Sequence, residues 1–139
     1  MRIRERLDKL GLELPEPFVY PNENRTGCVV TRYLLYTSGH PPPEDFGVKV
    51  RGKVGADISE EEAHASARAT ALSILASVEN ELGSLDRVTQ VVKVTGMVHS
   101  APGFDRQFAV IDGASDLFYE LFGPEGGQHA RGATSDGAQ

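Results

Sequence analysis

ISEEEAHASARATALSILASVENELG, residues 58–83, decides the fold, because its start, face and stop can each be named. Ser59 followed by Glu62 three positions later is a capping box, in which a hydroxyl and a carboxylate satisfy the first free amides of a helix. Glu60, Glu61 and Glu62 put negative charge at the positive end of the helix dipole. Ala63, Ala67, Thr70, Ala71, Ile74, Val78 and Leu82 recur at steps of three and four, which predicts one apolar face. Gly83 supplies the left-handed residue that ends the helix. Small side chains crowd its first half, so that half is expected to pack closely against a sheet.

Upstream, Ile3, Leu7 and Leu10 predict a short N-terminal helix stopped by Gly11. Residues 13–26, with Pro15, Pro17, Pro21, Asn22 and Asn24, read as an extended connection. Asn24-Arg25-Thr26 matches a glycosylation acceptor, but without a secretion signal it reads as ordinary loop. Gly27–Arg32 and Tyr33–Thr37 are β-branched and aromatic runs expected to pair as strands, with Cys28 a small buried hydrophobe in the first. A third short strand is expected around Val48–Val50. Downstream, VTQVVKVTGMVHS (88–100) is the strongest strand signal. Val92, Val94, Gly96 and Val98 fall on one face, with Val91, Lys93, Thr95 and Met97 on the other. Gly96 marks a bulge or a close backbone approach. Phe104, Phe108, Leu117, Phe118, Leu121 and Phe122 predict a second helical region, broken near Asp112-Gly113 and closed by Gly123-Pro124. The glycine-rich EGGQHARGATSDGAQ (125–139) is only weakly strand-like. Helices preceded and followed by strands imply an α/β or α+β sheet with helices on one face, in a single domain spanning 1–139.

Composition narrows the function. The 139 residues are 40% hydrophobic and 24% charged, and no apolar run is long enough to span a bilayer. The opening MRIRERLDKLGL lacks the apolar segment and cleavage site of a secretory signal, and a single cysteine excludes an intrachain disulfide. Both features lead us to expect a cytoplasmic protein. A net charge of −6 disfavours a broad phosphate-binding surface, so nucleic acid is not an expected partner. No Walker loop, GxGxxG, HExxH or GxSxG occurs, and His40, His64, His99 and His129 lack metal-ligand spacing. No metal site is expected. Glu60, Glu61 and Glu62 are better explained as helix-start charges than as catalytic carboxylates.

Two segments could carry chemistry. Ser38-Gly39-His40 ends the second strand, where a hydroxyl and exposed amides can meet a ligand carboxylate; taken alone, a turn with Ser38 bonded to its own backbone explains it better. His129-Ala130-Arg131 offers a guanidinium whose planar fork suits a carboxylate, although an isolated arginine is more often simply solvated.

At these segments the chain resembles the RidA/YjgF family, also called the L-PSP endoribonuclease family. The resemblance runs through LLYTSGHPP (34–42), GKVGADISEEEAHASARATALSILA (52–76), LDRVTQVVKVTGMVHSAPGF (85–104), VIDGASDLFYELFG (110–123) and GQHAR (127–131). RLDKLGLELPEP (6–17) is similar to a longer branch with an extra leading helix. The resemblance implies a chorismate-mutase-like α+β fold, a mixed sheet with two main helices on one face, and a homotrimer with ligand clefts between subunits. It also implies cofactor-free hydrolytic deamination of reactive enamines and imines derived from amino acids. Arg131 would hold the substrate carboxylate and Ser38 would position ligand or water, as the catalytic pair. Gly39 and His129 would complete the binding site. Because an imine is already electrophilic, orientation and a placed water could suffice. The alternative is a non-catalytic trimer that binds small carboxylate metabolites; ribonuclease activity ranks last.

The sequence departs from the family pattern after Arg131. Family members continue Ala-Arg-Ser into a strand, then a Leu-Pro turn and a Val-Glu-Ile-Glu strand inserted within the sheet. Here Gly132-Ala133-Thr134-Ser135-Asp136 follows and the sequence stops at Gln139, so that strand and its glutamate are expected to be missing, with residues 132–139 either native family sequence or a frame-altered tail, unless another segment fills the gap.

Overall fold

A computed structural model describes residues 2–135. Helix α1 (Ile3–Lys9) buries Ile3 and Leu7, while Leu10 stands outside it as a half-exposed cap and Gly11 takes φ 70. After the extended connection, β1 (Cys28–Thr31) and β2 (Leu34–Thr37) pair antiparallel, from Cys28 opposite Thr37 to Thr31 opposite Leu34. Their two-residue turn is Arg32-Tyr33, and Arg32 takes the left-handed φ of 52.

Helix α2 (Glu60–Leu82) begins and ends as its sequence requires. The Ser59 side chain accepts from the Glu62 amide, the Glu62 carboxylate accepts from the Ser59 amide, and Gly83 closes the helix at φ 85. Its buried surface is wider than one stripe. Ser66, Ala69, Leu72, Ser73, Leu75, Ala76 and Ser77 are buried together with Ala63, Ala71 and Val78, whereas Ala67, Thr70, Ile74 and Leu82 are only partly covered. The helix is clasped by other elements on several sides, and small residues, serines included, let them approach closely. A 3-10 turn (Leu85–Arg87) then leads to β3 (Lys93–Val98), α3 (Gln107–Gly126) and β4 (Ala130–Ser135).

Four expectations need correction. No strand forms at Val48–Val50; pairing is instead confined to isolated bridges from Val54 to Ile58 and Ser100. The expected strand 88–100 is regular only over Lys93–Val98, with Val94, Gly96 and Val98 turned inward. Helix α3 runs unbroken through Asp112-Gly113, and its non-helical residue is Gly123 (φ 78), ahead of Pro124. Gly113 is there for packing, because a Cβ at this position would collide with the backbone carbonyl of His64 on α2. Gly96 likewise lies under Ile111, which occupies the space a side chain would need. The weakly strand-like end does form a strand: Arg131 and Gly132–Ser135 lie within β4, which pairs parallel with β3, Val94 opposite Arg131 and Val98 opposite Ser135. Residues 136–139 lie outside the described residues.

The architecture is α+β, with antiparallel and parallel pairing both present. The strands form two separate two-stranded sheets, β1-β2 and β3-β4, where one mixed sheet was expected. One apolar cluster joins Cys28, Leu72, Leu75, Leu117 and Leu121 to α1, and a second joins Val54, Ile58, Val98, Val110 and Ile111. The opposite faces of the strands remain open: Val29, Leu34, Tyr36 and Met97 are 57%, 47%, 60% and 71% exposed.

Candidate functional site

The end of β2 is tied down at several points. Ser38 donates its amide to the Gly27 carbonyl at 2.9 Å and its hydroxyl to the Thr26 carbonyl at 2.5 Å. The serine therefore bonds across to the preceding strand entry, not to its own turn. His40 sits behind it, with Nδ1 2.8 Å from the Ser38 carbonyl and Nε2 2.8 Å from the hydroxyl of Ser77 on α2. The Tyr20 hydroxyl donates to the Gly39 carbonyl at 2.8 Å, and its ring meets the His40 ring edge-on. Burial pushes the His40 pKa down, partly offset by its bond to the Ser38 carbonyl. Neutral His40 then has one consistent arrangement: Nδ1–H donates to Ser38 and Nε2 accepts from Ser77. Burial also raises Tyr20, against a smaller lowering from Ser38. With both carbonyls held from behind, the Gly39 and His40 amides have no partner among the described residues. Cys28 is buried, and that burial, with Glu81 nearby, raises its thiol, the state of a structural cysteine.

A second cluster forms where β4 crosses α3. The Arg131 guanidinium donates from Nη1 to Asp112 Oδ1 at 2.5 Å and to the Ser115 hydroxyl at 3.2 Å, and from Nη2 to the Phe108 carbonyl at 3.2 Å. Of the five donors of a guanidinium, two remain without a partner among the described residues. The side chain is 22% exposed, so it is a half-sheltered cation fixed in place, not a solvated one. Positions 108, 112 and 115 lie three and four apart on α3, which is how one helix face supplies all three contacts. His129 shares Ser115 through Nε2 at 2.9 Å, and its Nδ1 lies 2.7 Å from the Gly127 carbonyl. Both ring nitrogens are thus engaged, and the ring stacks edge-on against Phe118.

The structure brings Arg131 and His129 together, and separately gathers Ser38, Gly39 and His40. The two clusters lie on different sheets, β4 and the end of β2, and no hydrogen bond among the described residues joins them. Sequence reasoning missed Asp112, Ser115, Ser77 and Tyr20. Asp112 was hidden inside an apparent helix break with Ser115 just beyond it, and Ser77, although buried, falls outside the positions read as the apolar stripe of α2. Among the described residues, no group of three or more His, Cys, Asp or Glu side chains is placed to hold a metal ion, and no helix is long and apolar enough to cross a membrane.

An α+β chain with two long helices laid against short strands, and polar clusters at two strand ends, is of the chorismate-mutase-like class. The chain belongs to the YjgF family: the profile described as "YjgF/chorismate_mutase-like, putative endoribonuclease" matches residues 4–137. It is 40% identical over 130 residues to Protein TCP17 of Trypanosoma cruzi, covering 94% of this chain and 81% of that protein. Among solved structures it is similar to Atu1372 of Agrobacterium tumefaciens, a protein described as having unknown function. That match has a TM-score of 0.85 and 36% identity, over 99% of this chain and 84% of that one. It is also similar to a "putative endoribonuclease" of Shewanella oneidensis MR-1, with a TM-score of 0.91 and 29% identity, over 100% of this chain and 91% of that one.

Proposed function

We propose that this chain is a cytoplasmic, cofactor-free hydrolase of small 2-imino acids and their enamine tautomers, acting as a homotrimer with its sites between subunits. The observation that carries this reading is the fixed Arg131, held at three points with two N–H groups that have no partner among the described residues. A preorganised guanidinium loses little entropy on taking a carboxylate. The Ser38-Gly39-His40 turn adds a hydroxyl and two amides without a partner among the described residues. In a trimer, the turn of one subunit facing Arg131 of the next would complete the site that one chain leaves divided.

Water adds to the iminium carbon and the tetrahedral adduct collapses. The carbon–nitrogen bond breaks, and a 2-oxo acid and ammonium leave, so one iminium and one water account for every atom. Arg131 remains protonated throughout, and it binds and stabilises charge without acting as a base. Ser38 orients ligand or water. Adding the protein to an enzyme that generates 2-iminobutanoate should accelerate 2-oxobutanoate release, and Arg131→Ala should abolish the acceleration. No acceleration, or one that Arg131→Ala leaves intact, would reject the hydrolase.

A non-catalytic carboxylate binder is the second reading, favoured by the engagement of both His129 ring nitrogens, which leaves no free imidazole beside Arg131 for proton transfer. Calorimetric binding of 2-oxobutanoate that depends on Arg131, without any turnover of the imine, would select it. RNA cleavage fits poorly with the net charge of −6 and with Arg131 already paired to Asp112.

A further inference from the structure

Arg131 carries its own counter-ion. Asp112 and Arg131 are 44% and 22% exposed, so the pair lies at the edge of solvent, within reach of a ligand. A bare carboxylate arriving at Arg131 would meet the like charge of Asp112 at close range, which works against binding. Asp112 Oδ2 has no hydrogen-bond partner among the described residues, and neither do two of the Arg131 donors. Arg106, a second guanidinium within electrostatic reach of Asp112, is already bonded to Glu60 at 2.6 and 3.4 Å. The site therefore presents a positive and a negative group side by side, each with unused hydrogen-bonding capacity.

We propose that Arg131 and Asp112 together read a small zwitterion, with its carboxylate on Arg131 and the protonated nitrogen of the adjacent carbon on Asp112 Oδ2. The inference deepens the proposed function and rests on it, since it makes Asp112 the residue that tells a 2-amino or 2-iminium acid from a plain carboxylate at Arg131. In a 2-iminium acid the two charged groups sit on neighbouring atoms, matching neighbouring charges in the site. Asp112 also favours the protonated iminium over the neutral imine, and the protonated form is the one water attacks readily. The Phe108 ring, 49% exposed and 5.1 Å from the Arg106 guanidinium carbon, offers an apolar surface beside the pair.

Isothermal calorimetry on the intact chain with 2-aminobutanoate and with butanoate separates the possibilities. The wild type should prefer 2-aminobutanoate by about tenfold or more, the worth of one charge-assisted hydrogen bond. Asp112→Asn should erase that preference by weakening 2-aminobutanoate and strengthening butanoate, while Asp112→Glu should retain a preference for the zwitterion. Melting temperatures for each variant show whether the fold is kept. A wild type without preference, or an Asp112→Asn that weakens both ligands equally, overturns the inference and leaves the proposed function standing, with Asp112 reduced to holding Arg131 in place. Absence of any Arg131-dependent binding overturns both.

Discussion

His40 and Ser77 are joined at 2.8 Å across the boundary between the turn after β2 and the middle of α2, a link that ties a strand end to the central helix. Burial depresses the His40 pKa below its ordinary 6.5. A histidine kept neutral in the fold binds more protons when unfolded, so stability is full above pH 6.5 and declines as pH falls through the lower folded value. Denaturant titrations between pH 8 and 5 should show that decline, and His40→Asn should flatten it. An unchanged profile in the variant would place the pH dependence elsewhere. Ser77→Ala should cost about 1 kcal/mol by removing a hydrogen bond inside the core.

Gly113 and the His64 carbonyl set the approach of α3 to α2. In an exposed helix, Gly→Ala gains about 1 kcal/mol from propensity. Here the added methyl meets backbone, which cannot rotate away, so overpacking at the upper end of the usual range of about 1–3 kcal/mol outweighs it. Gly113→Ala should therefore lower the melting temperature. A rise would mean that the helices separate at little cost.

Asp86 holds the start of α1. Its carboxylate accepts the Ile3 amide at 2.9 Å and the Arg2 guanidinium at 3.1 Å. Those contacts, the Ile3 amide first, pull its pKa below 3.8. The contribution is present above pH 3.8 and disappears as pH falls through the lower folded value. Hydrogen exchange should show Ile3–Lys9 opening at acid pH before the rest of the chain, and Asp86→Asn should open it already at neutral pH. Equal protection in both proteins would assign the docking of α1 to Ile3 and Leu7 alone.

How much of this was legible in the sequence depends on how local each cause is. The ends of α2 were readable because Ser59, Glu62 and Gly83 act on backbone within a few residues of themselves. The β1-β2 pairing followed from two adjacent runs of strand-forming residues. The supposed break at Asp112-Gly113 failed because glycine there answers to a neighbouring helix, which periodicity cannot see. The short β4 was faint because Gly132 and Ala133 carry little strand signal of their own, and pairing with β3 supplies the order. At the candidate site, Ser38 and Arg131 were reachable through family resemblance. Asp112, which neutralises Arg131, becomes visible only when β4 is laid across α3.

The open strand faces bear on the assembly. Val29 and Tyr36 are directly paired across β1-β2, so they share a face, and with Leu34 they leave an apolar surface in water. Burying such a surface between subunits would contribute about 25 cal/mol per Å², enough to hold an oligomer if the faces match. Light scattering after size-exclusion chromatography should report a trimer for the wild type. Tyr36→Lys, which puts a charge at the centre of that face, should shift the mass toward monomer without unfolding the chain, as far-ultraviolet circular dichroism would register. Imine hydrolysis should fall with the trimer, because the turn at Ser38 and the guanidinium of Arg131 would no longer meet across a subunit boundary. A monomeric Tyr36→Lys protein that keeps full activity would show that one chain holds a complete site.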